Sequence, residues 1–265
     1  VLRLERALWK TEVWMDGRRA GEADSLVAEH RHELGTLEPG RHRLTICVDN
    51  RMVHNLSTVT HAYGPETQSR WNGLIGSIVL EAANALSVRA LDIHPAADRQ
   101  SVRVVAQVAN AGTVAVTVPL RLRLLPEHED RFLTQADARL NCPPGASTHQ
   151  ALLRLAEPAL AWDEFRPVRY RLHATLERPG EPREEVSATF GFRHLERIGK
   201  ELRLNGRRLF LRGTLDCAVY PRTGHPPMTV PEWEGVLGTV KEYGFNHVRF
   251  HTWCPPEAAF EAADR

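Results

Sequence analysis

The sequence contains few cysteines and no long hydrophobic run. Its four cysteines fit no zinc-binding spacing, and four in 265 residues do not form a disulfide framework. We therefore expect them to be mostly free and buried, and a disulfide between Cys217 and Cys254 is the less favoured alternative. No apolar stretch approaches the roughly 18 residues of a membrane-spanning helix. The sequence thus gives no reason to expect a disulfide scaffold or a membrane partner.

An excess of charge of either sign is also missing. The 34 basic and 33 acidic residues leave a net charge of +1, which excludes nucleic-acid binding driven by overall charge. The 13 histidines include no His-Glu-x-x-His pair, so we expect neither a metal nor any other cofactor. With 42% hydrophobic and 25% charged residues, the composition is that of a globular protein. The length predicts two or three domains.

Neither end of the sequence looks like a natural terminus. The chain begins at Val1 rather than at methionine, and it stops at Arg265 inside a predicted helix. We therefore expect an internal piece of a longer protein. For that reason the sequence predicts no cellular compartment, and it leaves open whether the protein is a homo-oligomer.

Short strands dominate the first two thirds of the chain. In residues 1–84, Asp16-Gly17 is a strong hairpin signal, and residues 41–48 alternate polar and apolar side chains as a half-buried strand does. Residues 85–194 continue this pattern with strands at 101–108 and 168–176, and residues 114–124 indicate a further pair of strands. The sequence predicts an all-β sandwich followed by an immunoglobulin-like sandwich.

Residues 195–265 change to an α/β pattern. An apolar strand is predicted at 209–213 and another at 245–250, with a helix between them. Thr229 and Glu232 have the spacing of a capping box, and Gly244 marks the end of the helix. Strand, helix, strand and helix in succession indicate the start of a parallel α/β fold. One apolar stripe of the helix repeats at the spacing of a single helix face and contains Trp233, Val236, Leu237 and Val240.

Several stretches, in this order along the chain, resemble glycoside hydrolase family 2, the group of β-galactosidases, β-glucuronidases and β-mannosidases. Residues 14–21 resemble the V-x-V-N-G-x-x-V-G hairpin of its sugar-binding domain, and residues 71–81 its closing G-I-x-R-x-V-x-L-E strand. Residues 162–172 are similar to its L-W-S-P-E segment. Residues 190–213 resemble the F-G-F-R … L-N-G … L-R-G junction into its barrel, and residues 246–249 match N-x-V-R on the second barrel strand.

The resemblance implies a specific architecture and activity. Residues 1–84 would be the C-terminal part of a jelly-roll sugar-binding domain, 85–194 the immunoglobulin-like sandwich, and 195–265 the first βαβα part of a (β/α)8 TIM barrel. The activity implied is exo-acting, retaining hydrolysis of the O-glycosidic bonds of a carbohydrate. The two glutamates of such an enzyme are expected beyond residue 265, because no Asn-Glu dipeptide occurs in the chain. We therefore expect no catalytic residue here and no activity from residues 1–265 alone.

Candidate substrate-binding residues lie where the two predicted barrel strands end, since barrel active sites form at that face. Arg249 matches the family's arginine and could fix carboxylates in the pocket. Trp253 could stack on a sugar ring, and His251 and Asp216 could hydrogen-bond hydroxyl groups. Residues 214–221 and 250–256 depart from the family pattern, so the resemblance implies no particular sugar.

Several further residues are weaker candidates for the site, and one competing function stays open. Tyr220, Arg222 and His225 could shape the mouth of the pocket, although an ordinary polar loop is favoured. A long loop of the first domain offers further candidates, for which simple packing is again favoured. The competing function is a non-catalytic carbohydrate-binding or scaffolding protein of stacked β-sandwiches, which does not explain the α/β tail. The candidates in the long loop are His54, His61, Tyr63 and Trp71.

Overall fold

The computed structural model describes residues 1–52, 54–56, 60, 63–64, 71–178, 180 and 182–265. These residues pack into two compact units. The first contains residues 1–82, 211–263 and 265, and the second contains residues 83–210 and 264. The domain boundaries near 84 and 194 stay predictions, because the α/β segment packs into the same compact unit as the first sandwich.

The first unit begins with a β-sandwich. One sheet has the order β4-β1-β6 and the other β3-β2-β5, and every strand pair in them is antiparallel. The predicted hairpin is confirmed, since Asp16 and Gly17 both have positive φ, 50° and 78°, between β2 and β3. Leu2, Leu4 and Val13 fill the space between the sheets. The strands are β1 (Leu2–Leu8), β2 (Lys10–Met15), β3 (Arg18–Asp24), β4 (His30–His32), β5 (Leu44–Asp49) and β6 (Gly73–Leu80).

A buried polar cluster lies within this sandwich. The Thr11 hydroxyl lies 2.7 Å from His30 Nδ1 and 3.1 Å from His32 Nε2, so it donates to one imidazole and accepts from the other. Burial lowers the pKa of His30, against a weaker opposing effect of Ser25 and Asp24. Burial, followed by the charge of His30, also lowers the pKa of His32. Both rings are therefore stable in the neutral form.

This cluster predicts that the protein loses stability as the pH falls below about 6.5, the ordinary histidine pKa. Below that pH the unfolded chain binds protons that the buried rings do not, so the free energy of unfolding falls. Urea unfolding between pH 8 and pH 5.5 measures the effect. The double variant His30→Gln, His32→Gln should be less stable at pH 8 and show a flatter pH dependence. An unchanged slope in that variant would contradict the prediction.

Among its described residues, the second unit contains an antiparallel sandwich of seven strands in the two-sheet arrangement of immunoglobulin-like folds. Its sheets have the orders β10-β9-β12-β13 and β11-β8-β7. Alternate residues of β8, β9 and β12 are buried and form one core, as the period-2 pattern predicts. The strands are β7 (Leu86–Pro95), β8 (Ser101–Asn110), β9 (Val116–Pro126), β10 (Thr134–Cys142), β11 (Gly145–Arg154), β12 (Tyr170–Leu176) and β13 (Glu184–Phe190).

Two strand predictions were wrong. The pair of strands expected over 114–124 is the single strand β9, whose alternate side chains Leu120, Leu122 and Leu124 fill the core without a break. The strand expected over 209–213 is divided, because β16 ends at Leu209 and β17 begins at Gly213. β16 is the last strand of an antiparallel meander in the second unit, formed by β14 (Leu195–Ile198), β15 (Glu201–Leu204) and β16 (Arg207–Leu209).

The α/β segment of the first unit has the predicted order of elements. β17 (Gly213–Asp216) and β18 (His247–Phe250) form a parallel pair, and α1 (Val230–Glu242) connects them. α2 (Glu257–Asp264) follows. A parallel pair needs such a crossover, because its strands run in the same direction.

Both ends of α1 are set by the residues that the sequence singles out. The Glu232 carboxylate accepts hydrogen bonds from the Thr229 backbone N–H at 3.1 Å and from the Thr229 hydroxyl at 2.6 Å. At the other end, Gly244 has a φ of 79°. Its N–H and that of Phe245 donate back to the carbonyls of Lys241 and Val240, which is the Schellman arrangement. The capping box and the glycine stop are therefore confirmed.

Candidate functional site

The carboxyl ends of β17 and β18 bring four of the candidate residues together. We call Asp216, Tyr220, His251 and Trp253 the strand-end cluster. In parallel α/β folds the carboxyl ends of the strands are where ligands bind. This cluster is therefore the strongest candidate for a binding site in the first unit.

Asp216 is the centre of the strand-end cluster. Its carboxylate accepts hydrogen bonds from the Ala218 backbone N–H at 2.7 Å and from the Tyr220 hydroxyl at 2.6 Å. Its backbone carbonyl accepts from the His251 N–H at 2.8 Å and from Trp253 Nε1 at 3.0 Å. Burial, together with Asp216, raises the pKa of the Tyr220 hydroxyl well above its usual value. The phenol therefore stays protonated and acts as a donor.

Trp253 connects the strand-end cluster to a larger aromatic group. Its ring centroid lies 5.3 Å from that of Phe250, 6.4 Å from that of Trp233 and 6.5 Å from that of Tyr220. The indole remains partly exposed. One side of Trp253 is thus fixed by packing, and its orientation is set before any ligand arrives.

His251 and Cys217 lie next to each other across the two strand ends, with Cys217 Sγ 3.9 Å from His251 Nδ1. All four cysteines are free, as expected, but only Cys142 is buried, so the expectation that they are mostly buried was wrong. Cys47 is exposed because it lies in β5 on a half-exposed sheet face.

The backbone is strained just beyond both strands. Ala218 and Thr252 each lie two residues past a strand end, and they have φ values of 57° and 59°. Residues other than glycine, asparagine and aspartate rarely adopt this left-handed conformation, and such residues concentrate at functional sites. The two turns therefore share a feature that is common where a fold forms a binding surface.

Arg249 lies apart from the cluster. It is exposed on β18, between the half-buried Val248 and Phe250. Phe250 packs on Trp233 of α1, so alternation along the strand directs Arg249 to the opposite face of the sheet. Within the part of the chain that the structure describes, its side chain has no hydrogen bond or ion pair. Its role in substrate binding, like that of the strand-end cluster, stays a prediction.

The remaining candidates have ordinary packing roles or fall outside the structure. Tyr63 and Trp71 are 5% and 8% exposed and join a core cluster with Trp9. His54 Nε2 lies 2.7 Å from the Asp24 carboxylate, and His61 lies outside the described residues. His225 Nδ1 lies within hydrogen-bond distance of the carbonyl oxygen of Pro226.

One residue of this region has no signal in the sequence. Arg6 of β1 is only 6% exposed and lines a small pocket beside Trp71, Met228 and Trp253. It looks like any polar residue of an alternating strand, because its partners are distant in sequence. Sequence reasoning therefore missed it.

The described residues contain neither a metal-binding cluster nor a membrane-spanning helix. Among them, no three histidine, cysteine, aspartate or glutamate side chains come close enough to hold a metal ion. The helices described are also too short or too polar to span a membrane.

Comparison with known proteins identifies the second sandwich. Residues 86–193 match the model of the glycosyl hydrolases family 2. The chain carries a family 2 glycosyl hydrolase domain. The family expected from the sequence is therefore confirmed. No curated protein matches the chain.

Solved structures of family 2 members share its fold. A family 2 member from Bacteroides cellulosilyticus has a TM-score of 0.85 at 17% identity, over 100% of this chain and 33% of that one. A β-galacturonidase from Eisenbergiella tayi, bound to galacturonate, has a TM-score of 0.77 at 18% identity, over 99% of this chain and 45% of that one. A β-glucuronidase from Bacteroides uniformis has a TM-score of 0.77 at 18% identity, over 99% of this chain and 32% of that one. The chain thus spans less than half the length of these three proteins.

Proposed function

We propose that this chain is an internal piece of an exo-acting, retaining family 2 glycoside hydrolase. In this proposal residues 1–84 belong to a jelly-roll sugar-binding domain. Residues 195–265 begin a TIM barrel, in which β17, α1, β18 and α2 form the first βαβα part. The two catalytic glutamates lie beyond residue 265, so residues 1–265 alone do not hydrolyse glycosides.

The parallel pair of β17 and β18 is the observation that carries the proposal. Parallel strands occur almost only in sheets that are covered on both faces, and a pair on its own does not meet that condition. Leu215 of β17 is 51% exposed, as expected of a strand that has not received all its neighbours. A strand pair of this kind, following a family 2 sandwich, fits the start of a catalytic barrel.

The substrate class follows from the chemistry at the strand ends. In the completed barrel, Arg249 would present its guanidinium to the pocket, where it can bind a carboxylate through two parallel hydrogen bonds. Asp216, His251 and Trp253 would line the same mouth. Two of the structural relatives are named for uronic acids, galacturonate and glucuronate. We therefore place acidic β-glycosides first among the substrates to be tested.

The test is an assay of the natural full-length protein on 4-nitrophenyl glycosides of neutral sugars and of uronic acids. We expect release of nitrophenol from at least one β-glycoside, with the β-uronides tested first. Residues 1–265, purified in parallel, serve as the matched control and should release none. Sugar binding by the full-length protein without any turnover would favour the competing carbohydrate-binding function. Turnover by residues 1–265 would overturn the placement of the glutamates.

A further inference from the structure

The side chain of Arg6 connects two segments that are about 250 residues apart. Nη1 donates to the carbonyl of Leu26 at 3.0 Å and to that of Cys254 at 3.1 Å. Nη2 donates to the carbonyl of Pro255 at 3.1 Å. Arg6 belongs to the central strand of a sandwich sheet, whereas residues 254 and 255 belong to the loop between β18 and α2. The guanidinium thus fixes that loop from the side of the sandwich.

Arginine suits this position for a physical reason. Arg6 is 6% exposed, and within the described residues no carboxylate pairs with it. A buried charge is tolerated only when hydrogen bonds satisfy it. The planar guanidinium has five donors in a fixed fork and can serve several carbonyls at once, whereas a lysine ammonium is a point charge on a flexible stem.

The loop that Arg6 holds is the one that carries Trp253. On one side Trp253 donates its indole N–H to the Asp216 carbonyl at 3.0 Å, and the His251 N–H donates to the same oxygen at 2.8 Å. On the other side the next two residues along the chain are held by Arg6. The loop is therefore fixed at two points, one on β17 and one on β1.

We propose that Arg6 is a positioning residue that sets the place of Trp253 and His251 at the carboxyl ends of β17 and β18. It acts through the backbone of residues 254 and 255 and does not itself contact substrate. The consequence for turnover rests on the proposed function, but the effect on the loop does not. A purely structural arginine would instead stabilise the whole unit evenly.

The test compares Arg6→Met and Arg6→Lys with Arg3→Met in the full-length protein. Arg3 lies on the same strand, but it pairs with Glu29 and Glu81 and is about one-third exposed, so its loss should leave the loop unchanged. Two readouts do not need activity. They are hydrogen exchange of the amides of residues 251–254, and 19F NMR of fluorotryptophan-labelled protein with Trp253→Phe to assign the resonance.

We expect Arg6→Met to speed exchange of residues 251–254 at least tenfold and to move the Trp253 resonance, with the rest of the first unit unaffected. Arg6→Lys, which keeps the charge, should give the same pattern in weaker form and serves where Arg6→Met does not fold. Faster exchange spread evenly over the first unit, or an unmoved Trp253 resonance, would overturn the proposal.

A kinetic arm tests the consequence for the site. With the best glycoside, Arg6→Met should lower kcat/KM about tenfold, since small misplacements of substrate-positioning groups reduce rates by up to about 100-fold. The effect should largely disappear in a Trp253→Phe background, because both substitutions then remove the same interaction. Full additivity would contradict action through Trp253. If the full-length protein hydrolyses nothing, the proposed function fails while the exchange and NMR results still decide the role of Arg6.

Discussion

Replacing Arg249 with alanine in the full-length protein should lower kcat/KM on the order of 100-fold and change Tm by less than about 2 °C. Removing one well-placed donor to developing charge in an active site typically costs a factor of about 100 or more. The stability effect is small because the side chain is exposed and has no partner within the described part of the chain. Surface substitutions of that kind change stability by about 0.5 kcal/mol or less.

The measurement combines steady-state kinetics on the best aryl glycoside with thermal unfolding. Arg249→Lys tests the geometry, since it keeps the charge and loses the two-pronged donor, so most of the activity should still be lost. Arg41→Ala is the matched control, because Arg41 is also exposed but belongs to the sandwich loop before β5. Unchanged kinetics together with a lowered Tm would show that Arg249 has a structural role instead.

The sequence predicted elements that depend on local chemistry. The hairpin at Asp16-Gly17 was predictable because two consecutive residues with positive φ favour these residue types. The capping box at Thr229 and the stop at Gly244 were predictable because each satisfies backbone groups within one helical turn. The alternating strands of the second sandwich were predictable because a period of two places one face in the core.

What the sequence could not predict depends on contacts between distant residues. Residues 210–212 read as a continuation of an apolar strand, yet the Arg212 N–H donates to the side chain of Asn246, and its Nε donates to the carbonyl of Gly244. Phe210 is 68% exposed there. Arg6 was missed for the same reason, since all its partners come from other segments.

The candidate site was predictable in place but not in its internal connections. Asp216 and Trp253 were chosen separately, as polar and aromatic residues after two different strands. The structure connects them directly, through the indole N–H of Trp253 and the backbone carbonyl of Asp216. Every residue has a backbone carbonyl whatever its type, so this connection has no sequence signal. We therefore expect that substitution of Trp253 also affects the turn after β17.

Replacing Trp233 with alanine should destabilise the first unit by about 3–5 kcal/mol, the usual range for a large buried aromatic side chain. Trp233 is fully buried, and its ring centroid lies 5.8 Å from that of Phe250 and 6.4 Å from that of Tyr220. Its indole N–H donates to the carbonyl of Pro227 at 2.8 Å. The substitution therefore opens a cavity and removes a hydrogen bond at once.

Urea unfolding followed by circular dichroism measures the loss, and Tyr243→Ala is the control, because Tyr243 ends the same helix at 78% exposure. Trp233→Phe keeps an aromatic ring, so its loss in the free energy of unfolding should lie between those of the other two variants. Trp233 also packs on Trp253 at 6.4 Å between ring centroids, so Trp233→Ala should lower activity and stability together. Arg249→Ala should lower activity alone. If Trp233→Ala leaves the free energy of unfolding within about 1 kcal/mol of the unmodified protein, α1 does not depend on this core and the account of the α/β segment is wrong.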